Sequence, residues 1–283
     1  MAADLALCLI GEGITGSPSP AMHVAALEAM GVQGTYELVD VGARELPAVL
    51  SDLRNGRWAG ANVTVPYKQA LASVCDHLGG DAAITGAVNT LTLRDGAIHG
   101  DSTDAIGFEL GLSASHAWPV SGATAVVFGA GGVAAAVVLA LSRVPVARTV
   151  VVSRRITAAR ALVDRLDAGG VSGVGVGLWD IDWLAKVLAG ADLVVNATSV
   201  GGDVLPVDPA ALKSSCTVAD VRYRPRPVDL VSAARAAGLR ACDGTEMLVQ
   251  QGIASLRMWS GGDPSASVAR EAVYGAFGEV PPL

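Results

Sequence analysis

The sequence predicts an α/β protein of two domains, and three observations indicate this class. Short apolar runs alternate with helical patterns along almost the whole chain, which is typical of a mainly parallel sheet covered by helices. The chain has 283 residues, more than the roughly 100–200 residues of one ordinary domain. Hydrophobic residues make up 51% of it and charged residues 17%, which suits a compact protein rather than a disordered one.

The first third of the chain carries five predicted strands. Their apolar runs cover residues 6–10, 35–40, 61–65, 88–94 and 97–100. The last two flank Asp95-Gly96, a dipeptide that favours a tight hairpin turn. Helices are predicted near residues 21–30 and 45–55, and a further helix begins near Asp104. These elements predict one α/β unit that ends where the chain reaches Asp104.

The rest of the chain repeats strand and helix more regularly. Six strands are predicted at residues 124–128, 149–152, 174–178, 193–196, 217–221 and 240–242, with helices in the gaps. A long helical pattern at 247–260 and a last helix at 268–277 follow. The sequence therefore predicts a second, parallel-stranded unit.

Charge and hydropathy exclude two classes of partner. The formal net charge is −7 and the longest basic run is the pair Arg154-Arg155, so we expect no nucleic-acid binding. Residues 117–142 carry no charge and are long enough to span a membrane. Glycines at 129–132 divide that stretch, however, into a strand-like half and a helix-like half. A buried strand and helix explain its apolarity, and we expect no membrane span.

The cysteines and the N-terminus predict a cytoplasmic protein. The four cysteines are far apart, form no C-x-x-C pair, and are expected to be reduced thiols: Cys8, Cys75, Cys216 and Cys242. No metal cluster is visible in the sequence. Asp4 stands where a signal peptide would carry positive charge, and the apolar run at 5–10 is short for its hydrophobic region.

A glycine motif predicts a dinucleotide site. The pattern G-x-G-x-x-G/A directly follows a predicted strand and opens a helix, at Gly129, Ala130, Gly131, Gly132, Val133 and Ala134. This context matters because the amides at the start of such a helix approach a pyrophosphate closely. The alternative is a tight strand-to-helix turn that is glycine-rich for structural reasons alone.

The end of the next strand favours NADP over NAD. An NAD site usually offers an acidic residue there for the ribose 2′-hydroxyl, but this chain has Ser153-Arg154-Arg155. Two guanidiniums beside a hydroxyl suit a 2′-phosphate. The alternative is that both arginines are merely solvated at the start of the following helix.

Polar residues cluster in three stretches of the first unit. Ser19 can cap a helix whose first residue is Pro20, whereas Ser17 has no evident structural role and can bind a carboxylate or polyol with it. The second stretch contains Asn62, Thr64 and Lys68, and places Asn62 and Thr64 on one strand face, with Val63 and Val65 in the core. The third is an acidic turn at residues 100–104. Caps, edge hydrogen bonds and a solvated turn are the structural alternatives.

In this order, the motifs resemble those of shikimate dehydrogenases over nearly the whole chain. They are Ser17-x-Ser19-Pro20, Asn62-Val-Thr64-Val-Pro66-Tyr-Lys68, Gly86-Ala-Val-Asn89-Thr90, Gly100-Asp-Ser-Thr103-Asp104, Gly129-Ala-Gly-Gly132, Asn196-Ala-Thr198-Ser199, Asp243-Gly244 and Met247-Leu248-Val249-x-Gln251. The ordered set is highly specific, although no single motif is.

The resemblance implies NADP-dependent, reversible reduction of 3-dehydroshikimate to shikimate, on the route to aromatic amino acids. It implies Lys68 and Asp104 as the catalytic pair and Thr198 at the cofactor. Six residues would bind the substrate: Ser17, Ser19, Thr64, Asn89, Tyr223 and Gln251. It also implies a substrate domain of residues 1–103 plus 245–283, completed by the C-terminal helices, and a Rossmann-type NADP domain of residues 104–244. A monomer or a homodimer is expected.

Two departures from the family pattern leave the substrate open. Ser102 stands where asparagine is usual, and Glu246 replaces a residue that is typically glycine. A carboxylate at Glu246 could accept an amino group, so quinate or aminoshikimate is an alternative substrate. The alternative from a different class is a dinucleotide-binding sensor without turnover, which would not need both Lys68 and Asp104.

Overall fold

The computed structural model describes residues 5–115 and 121–281, which form two compact units. The first unit runs to Thr103 and resumes at Val249, and the second spans Asp104–Leu248. Asp4, which bears on the expected absence of a signal peptide, lies outside the described residues. Residues 117–120 of the uncharged stretch lie outside them as well.

Strands and helices alternate along the described chain. The strands are β1 Leu5–Gly11, β2 Gly34–Asp40, β3 Gly60–Val63, β4 His77–Leu78, β5 Thr90–Arg94, β6 Ala97–Asp101, β7 Thr124–Phe128, β8 Arg148–Val152, β9 Val174–Gly177, β10 Leu193–Asn196, β11 Thr217–Asp220 and β12 Arg240–Cys242. The helices are α1 Ser19–Ala29, α2 Leu46–Arg54, α3 Lys68–Ala72, α4 Gly80–Thr85, α5 Asp104–Ala114, α6 Gly132–Ser142, α7 Ile156–Ala168, α8 Ile181–Ala189, α9 Asp229–Ala236, α10 Thr245–Ser260 and α11 Ala266–Phe277. A short 3-10 helix covers Pro209–Ala211.

The sheet of the first unit is mainly parallel, as predicted. Its strand order is β2-β1-β3-β5-β6-β4. β1 runs parallel to β2 and β3, and β4 runs parallel to β6, whereas β5 is antiparallel to both of its neighbours. The β5–β6 hairpin turns at Asp95 and Gly96, whose φ angles of 51° and 78° are both positive. Asp-Gly tolerates this conformation, which confirms the predicted hairpin.

The sheet of the second unit is parallel throughout, in the order β12-β11-β10-β7-β8-β9. All six strands predicted there are present. Helices cover a sheet of this kind on both faces, so its strands read as continuous apolar runs. Val126, Val150 and Val194 on three of them are fully buried. This is the doubly wound order, in which the chain changes direction between β7 and β10.

The C-terminal helices pack on the first unit, as predicted. α11 lies against α1. The indole of Trp259 in α10 donates to the carbonyl of Leu91 at 3.0 Å. A Cβ at Gly60 in β3 would lie 2.2 Å from Trp259 Nε1, so the strand needs glycine where the indole crosses it.

Strand β3 is shorter than predicted. It ends at Val63, and Val65 is 54% exposed, so the expectation that Val65 anchors the strand in the core is wrong. The N–H of Tyr67 donates to the carbonyl of Thr64 at 2.9 Å, which closes a turn with Val65 and Pro66 at its centre. Proline offers no N–H to a ladder, so pairing stops before it. α3, α4 and β4 have only two to six residues, and no periodicity indicated them.

The uncharged stretch forms a strand and a helix in its described part. β7 and α6 occupy it, and α6 is buried from Ala134 to Leu141. No helix in the described ranges combines the length and the apolarity needed to cross a bilayer.

The four cysteines are unpaired. Burial raises the pKa of Cys75 and of Cys216 to about 11 and that of Cys242 to about 12. Burial also raises the pKa of Cys8. Thiols with such pKa values are protonated at neutral pH and are poor nucleophiles.

Candidate functional site

The glycine-rich turn after β7 packs closely against the ends of neighbouring strands. The N–H of Gly129 donates to the carbonyl of Val152 at 2.9 Å, and the φ of Gly129 is +127°. A Cβ at this position would lie 2.7 Å from the carbonyl oxygen of Ala197, so only glycine fits. The turn therefore lies at the carboxyl ends of β7, β8 and β10, where doubly wound sheets bind nucleotides.

The N-terminus of α6 suits an anion. Gly131 is its N-cap, no side-chain hydrogen bond caps the helix, and its first turn carries no acidic residue. Gly131 is exposed and a Cβ there would meet nothing, whereas Ala134 is fully buried. Backbone N–H groups and the helix dipole at such an end attract phosphates. Residues 129–134 thus fit the pyrophosphate of a dinucleotide.

The end of β8 suits a second phosphate. Arg154 and Arg155 are both exposed, and Ser153 is half-buried. The hydroxyl of Ser153 accepts the N–H of Arg155 at 3.3 Å, which holds the start of α7 in place. Two accessible guanidiniums without a neighbouring acidic residue in the sequence fit the 2′-phosphate of NADP.

The hydroxyl of Thr198 stabilises the loop after β10. That hydroxyl donates to Asn196 Oδ1 at 2.7 Å and accepts the N–H of Val200 at 3.2 Å. The Thr198 methyl group faces the space beside Gly129, 3.3 Å from a Cβ built there. Thr198 is therefore next to the glycine turn, and its cofactor contact stays a prediction.

An ion-pair cluster around the buried Asp220 contacts this loop. The side chain of Asp220, at the end of β11, is fully buried and accepts Asn196 Nδ2 at 3.0 Å. Arg222 binds Asp220 through Nε and Nη2 at 2.7–3.2 Å and reaches Asp229 at 2.5 Å. Asp229 in turn accepts the N–H of Gly202 at 2.8 Å. The cluster therefore joins β11, α9 and the loop after β10.

The two serines at the start of α1 contact each other. Ser17 Oγ accepts the N–H of Ser19 at 3.2 Å and donates to Ser19 Oγ at 3.0 Å. The helix begins at Ser19 with Pro18 as N-cap, so the expectation that Ser19 caps a helix starting at Pro20 is wrong. The N–H groups of a helix's first turn have no partner within the helix, so Pro20 fits the second position of α1 as well as the first. The helix can therefore begin one residue earlier than predicted. Its hydrogen bonds to Ser19 also give Ser17 a structural role, which the sequence did not suggest.

Thr64 and Lys68 follow β3 on either side of a turn. Thr64 is half-buried, and its N–H donates to the carbonyl of Ile10 at 3.0 Å. Lys68 is half-buried and is the first residue of α3. Its carbonyl accepts the N–H of Val88 at 2.9 Å, so the turn is fixed to the residue before Asn89.

Asn89 joins two motifs that are far apart in the sequence. It is 1% exposed, and its Oδ1 accepts the backbone N–H of Thr103 at 2.8 Å. Its Nδ2 donates to Gln251 Oε1, 162 positions along the chain, at 3.0 Å. Thr103 Oγ1 donates to the carbonyl of Gln251 at 2.9 Å. Asn89, Thr103 and Gln251 therefore form one cluster.

Asp104 and Tyr223 belong to the second unit. Asp104 is 3% exposed and is the first residue of α5, directly after Thr103. Tyr223 is half-buried, three residues beyond the end of β11. The first unit holds the other predicted substrate and catalytic residues, namely Ser17, Ser19, Thr64, Lys68, Asn89 and Gln251.

Three buried polar residues beside this cluster were not predicted. They are His23 in α1, Tyr36 in β2 and Ser255 in α10. Ser255 lies four residues after Gln251, and residues at i and i+4 share a helix face, so that spacing could have indicated it. Tyr36 carries no such signal, because its partner Asn62 is 26 positions away, and the ring of His23 stacks on Tyr36 from a different element.

His23 is a neutral, buried imidazole. Its Nδ1 lies 2.9 Å from the carbonyl oxygen of Ser19, and its ring stacks on Tyr36 with centroids 4.1 Å apart. Burial lowers the pKa of His23 to about 4, against the effect of the hydrogen bond to Ser19. A protonated imidazole is thus disfavoured in the folded state.

The unfolded state will therefore take up a proton at His23 at a higher pH than the folded state. Because the folded pKa of about 4 lies below the ordinary 6.5, stability is lost as pH falls from about 6.5 towards 4. Between pH 7 and pH 5 we expect His23 to account for a loss of about 2 kcal/mol. Urea unfolding of the wild type and His23→Gln at both pH values measures it. His99→Gln, on β6, is the control, and an unchanged pH slope in His23→Gln would contradict the assignment.

Metal ligands do not gather among residues 5–115 and 121–281. No group of three or more histidine, cysteine, aspartate or glutamate side chains there could hold a metal ion.

Three family models match successive parts of the chain. The shikimate dehydrogenase substrate binding domain matches residues 9–91. The saccharopine dehydrogenase NADP binding domain matches residues 125–242. The shikimate 5′-dehydrogenase C-terminal domain matches residues 244–274. These segments contain the Asn62–Lys68 stretch, the glycine turn and Gln251, respectively.

Relatives of known name match almost the whole chain. The shikimate dehydrogenase (NADP(+)) of Rubrobacter xylanophilus is 40% identical over 272 residues, which covers 94% of each chain. The structure of shikimate 5-dehydrogenase from Thermus thermophilus in complex with NADP(H) and shikimate has a TM-score of 0.85, 33% identity, and coverage of 96% of this chain and 99% of that one. The quinate dehydrogenase of Corynebacterium glutamicum in complex with NAD has a TM-score of 0.85 and 34% identity, covering 95% and 98%.

Proposed function

The chain belongs to the shikimate dehydrogenase family, and from this premise we propose that it reduces 3-dehydroshikimate reversibly to shikimate with NADP. The observation that carries the proposal is the buried cluster of Asn89, Thr103 and Gln251, which brings three family motifs together. The first unit is the substrate domain and the second is the NADP domain. The enzyme is a monomer or a homodimer, and its unpaired thiols suit the reducing cytoplasm.

Lys68 is the proton donor and Asp104 is its partner. Reduction of a ketone leaves negative charge on oxygen, which a nearby ammonium group stabilises and protonates. The carbonyl of Lys68 accepts the N–H of Val88, next to Asn89, and Asn89 Oδ1 accepts the N–H of Thr103, next to Asp104. The same cluster thus supports the backbone beside both residues. Asp104 orients the ammonium group and joins the proton path.

Amide and hydroxyl side chains bind the substrate. Ser17 and Ser19 bind its carboxylate, and Thr64, Asn89, Tyr223 and Gln251 bind its hydroxyls. Charged and neutral oxygen groups of this kind need several directional partners, which fixed side chains supply at little entropic cost. The contact between the two serines supports their action as one site.

The cofactor residues hold NADP by its phosphates. Residues 129–134 bind the pyrophosphate, Ser153, Arg154 and Arg155 bind the 2′-phosphate, and Thr198 lies beside the glycine turn. NADPH supplies the hydride when bound.

A substrate panel tests the proposal. Formation of NADPH is followed with shikimate, quinate and aminoshikimate in turn, and the highest kcat/KM is expected with shikimate. Quinate is the second candidate because a quinate dehydrogenase matches this fold with 34% identity. A higher kcat/KM with quinate would instead assign the protein as a quinate dehydrogenase. A failure of all three substrates would support the sensor alternative.

Arg154→Ala will separate NADP from NAD. Because only NADP carries the 2′-phosphate, we expect the KM for NADP⁺ to rise about 10- to 100-fold, in keeping with the loss of a charge-assisted hydrogen bond. The KM for NAD⁺ should change less than about twofold. Steady-state kinetics with both cofactors measures the ratio, and Arg160→Ala, an exposed arginine of α7, is the control. Equal effects on both cofactors would refute the assignment.

A further inference from the structure

A continuous row of buried side chains links β2 to α10 beneath the predicted substrate residues. Tyr36 donates its hydroxyl proton to Asn62 Oδ1 at 2.7 Å. Asn62 Nδ2 donates to Ser255 Oγ at 3.0 Å, and Ser255 Oγ lies 2.7 Å from Thr90 Oγ1. Thr90 Oγ1 donates to Asn89 Oδ1 at 2.8 Å. All five residues are less than 9% exposed, and Ser255 is fully buried.

Backbone groups fix the orientation of the amide at the end of this row. A backbone N–H can only donate, and that of Thr103 points at one atom of the Asn89 amide at 2.8 Å. That atom is therefore the oxygen, and Nδ2 is the atom facing Gln251 at 3.0 Å. The Gln251 atom in this contact must be its acceptor, Oε1. The NH₂ group is therefore the atom of the Gln251 amide that does not accept from Asn89.

Ser255 connects the row to Gln251 as well as to Asn89. Its Oγ accepts from Asn62 Nδ2 at 3.0 Å and donates to the backbone carbonyl of Gln251 at 3.0 Å. In its 2.7 Å contact with Thr90 Oγ1 either hydroxyl can be the donor. Thr90 Oγ1 also contacts Asn89 Oδ1, to which it donates. The row therefore reaches Asn89 through Thr90 and the backbone of Gln251 directly, and linked hydrogen bonds of this kind strengthen one another.

We propose that Tyr36 and Ser255 are positioning residues for the substrate, because they hold the amide of Asn89, and through it that of Gln251, in the orientation that presents the Gln251 NH₂ group as a donor to a substrate oxygen. This inference rests on the proposed function. Neither residue binds substrate or cofactor itself. Their contribution is to hold the Asn89 amide in place, in the orientation that the N–H of Thr103 sets.

The test uses Ser255→Ala, Tyr36→Phe and the double variant. Tyr36→Phe keeps the ring that stacks on His23 and removes only the hydroxyl, so it tests the row even if Ser255→Ala folds poorly. Each single variant should lower kcat/KM for shikimate about 10-fold, a displacement effect of the size expected for misplaced binding groups. The KM for NADP⁺ should stay within about twofold. The double variant should have about the same kcat/KM as the less active of the two single variants, because both substitutions interrupt the same row.

Ser260→Ala is the matched control, because Ser260 is in the same helix and donates to the carbonyl of Leu256 of that helix. A second readout is the rise in melting temperature on adding shikimate or NADP⁺ to each variant. The shikimate shift should shrink in both single variants and the NADP⁺ shift should not. Lower stability with unchanged kcat/KM and shikimate shift would overturn the proposal, as would fully additive effects. Absence of shikimate turnover in the wild type would instead refute the proposed function.

Discussion

Substituting methionine for Lys68 will lower kcat for shikimate about a thousandfold and leave NADP⁺ affinity nearly unchanged. Methionine keeps much of the length of the side chain but can neither protonate the developing alkoxide nor accept its proton in the reverse direction. A positioned acid–base group contributes about 10²- to 10⁴-fold. Lys68 is in the first unit, whereas the glycine turn and the arginines are in the second. Steady-state kinetics and a fluorescence titration of NADPH measure the two quantities.

Two further variants define what the Lys68 result means. Lys186→Met, an exposed lysine of α8, should behave as the wild type. Asp104→Asn keeps the shape of the partner without its charge and should also lower kcat while sparing NADPH binding. A Lys68→Met enzyme that retains most of its activity would remove Lys68 from the proton path.

The second unit could be predicted from the sequence almost completely. Its four central strands are buried along most of their length, so each appears in the sequence as a continuous apolar run. The glycine motif after β7 is local as well, since a turn, a close approach and a helix start all fall within six residues. The first unit was harder, because two- to six-residue elements such as β4 and α3 leave no periodic pattern.

The candidate site shows the same division between local and distant contacts. Asn89, Lys68 and Gln251 were predicted because family motifs carry them. Ser255 and Tyr36 were missed because their role depends on hydrogen bonds between residues 165 or 26 positions apart. The end of β3 and the start of α1 were each predicted one or two residues away from their positions in the structure. Both boundaries lie next to a proline, which ends or begins an element for reasons that hydropathy does not reveal.

Arg222→Met will destabilise the protein by about 3–5 kcal/mol. The Asp220 side chain beside it is fully buried, and removing one partner of a buried ion pair leaves an uncompensated charge. Hydrogen bonding to Asp220 is also the main reason that the pKa of Arg222 is raised, against the effect of burial, so the guanidinium is charged in the folded state. Urea unfolding at neutral pH measures the loss in the free energy of unfolding.

Two comparisons show whether the buried charge causes that loss. Arg257→Met removes a partner of Asp263 from an exposed pair, with side chains 51% and 85% exposed, and should cost less than about 1 kcal/mol. Adding Asp220→Asn to Arg222→Met removes the orphaned charge but keeps a side chain of similar shape beside Asn196. If the charge is the cause, the double variant will be more stable than Arg222→Met alone. If the lost contacts are the cause, the second substitution will only add to the damage, because it weakens the hold of β11 on the loop after β10.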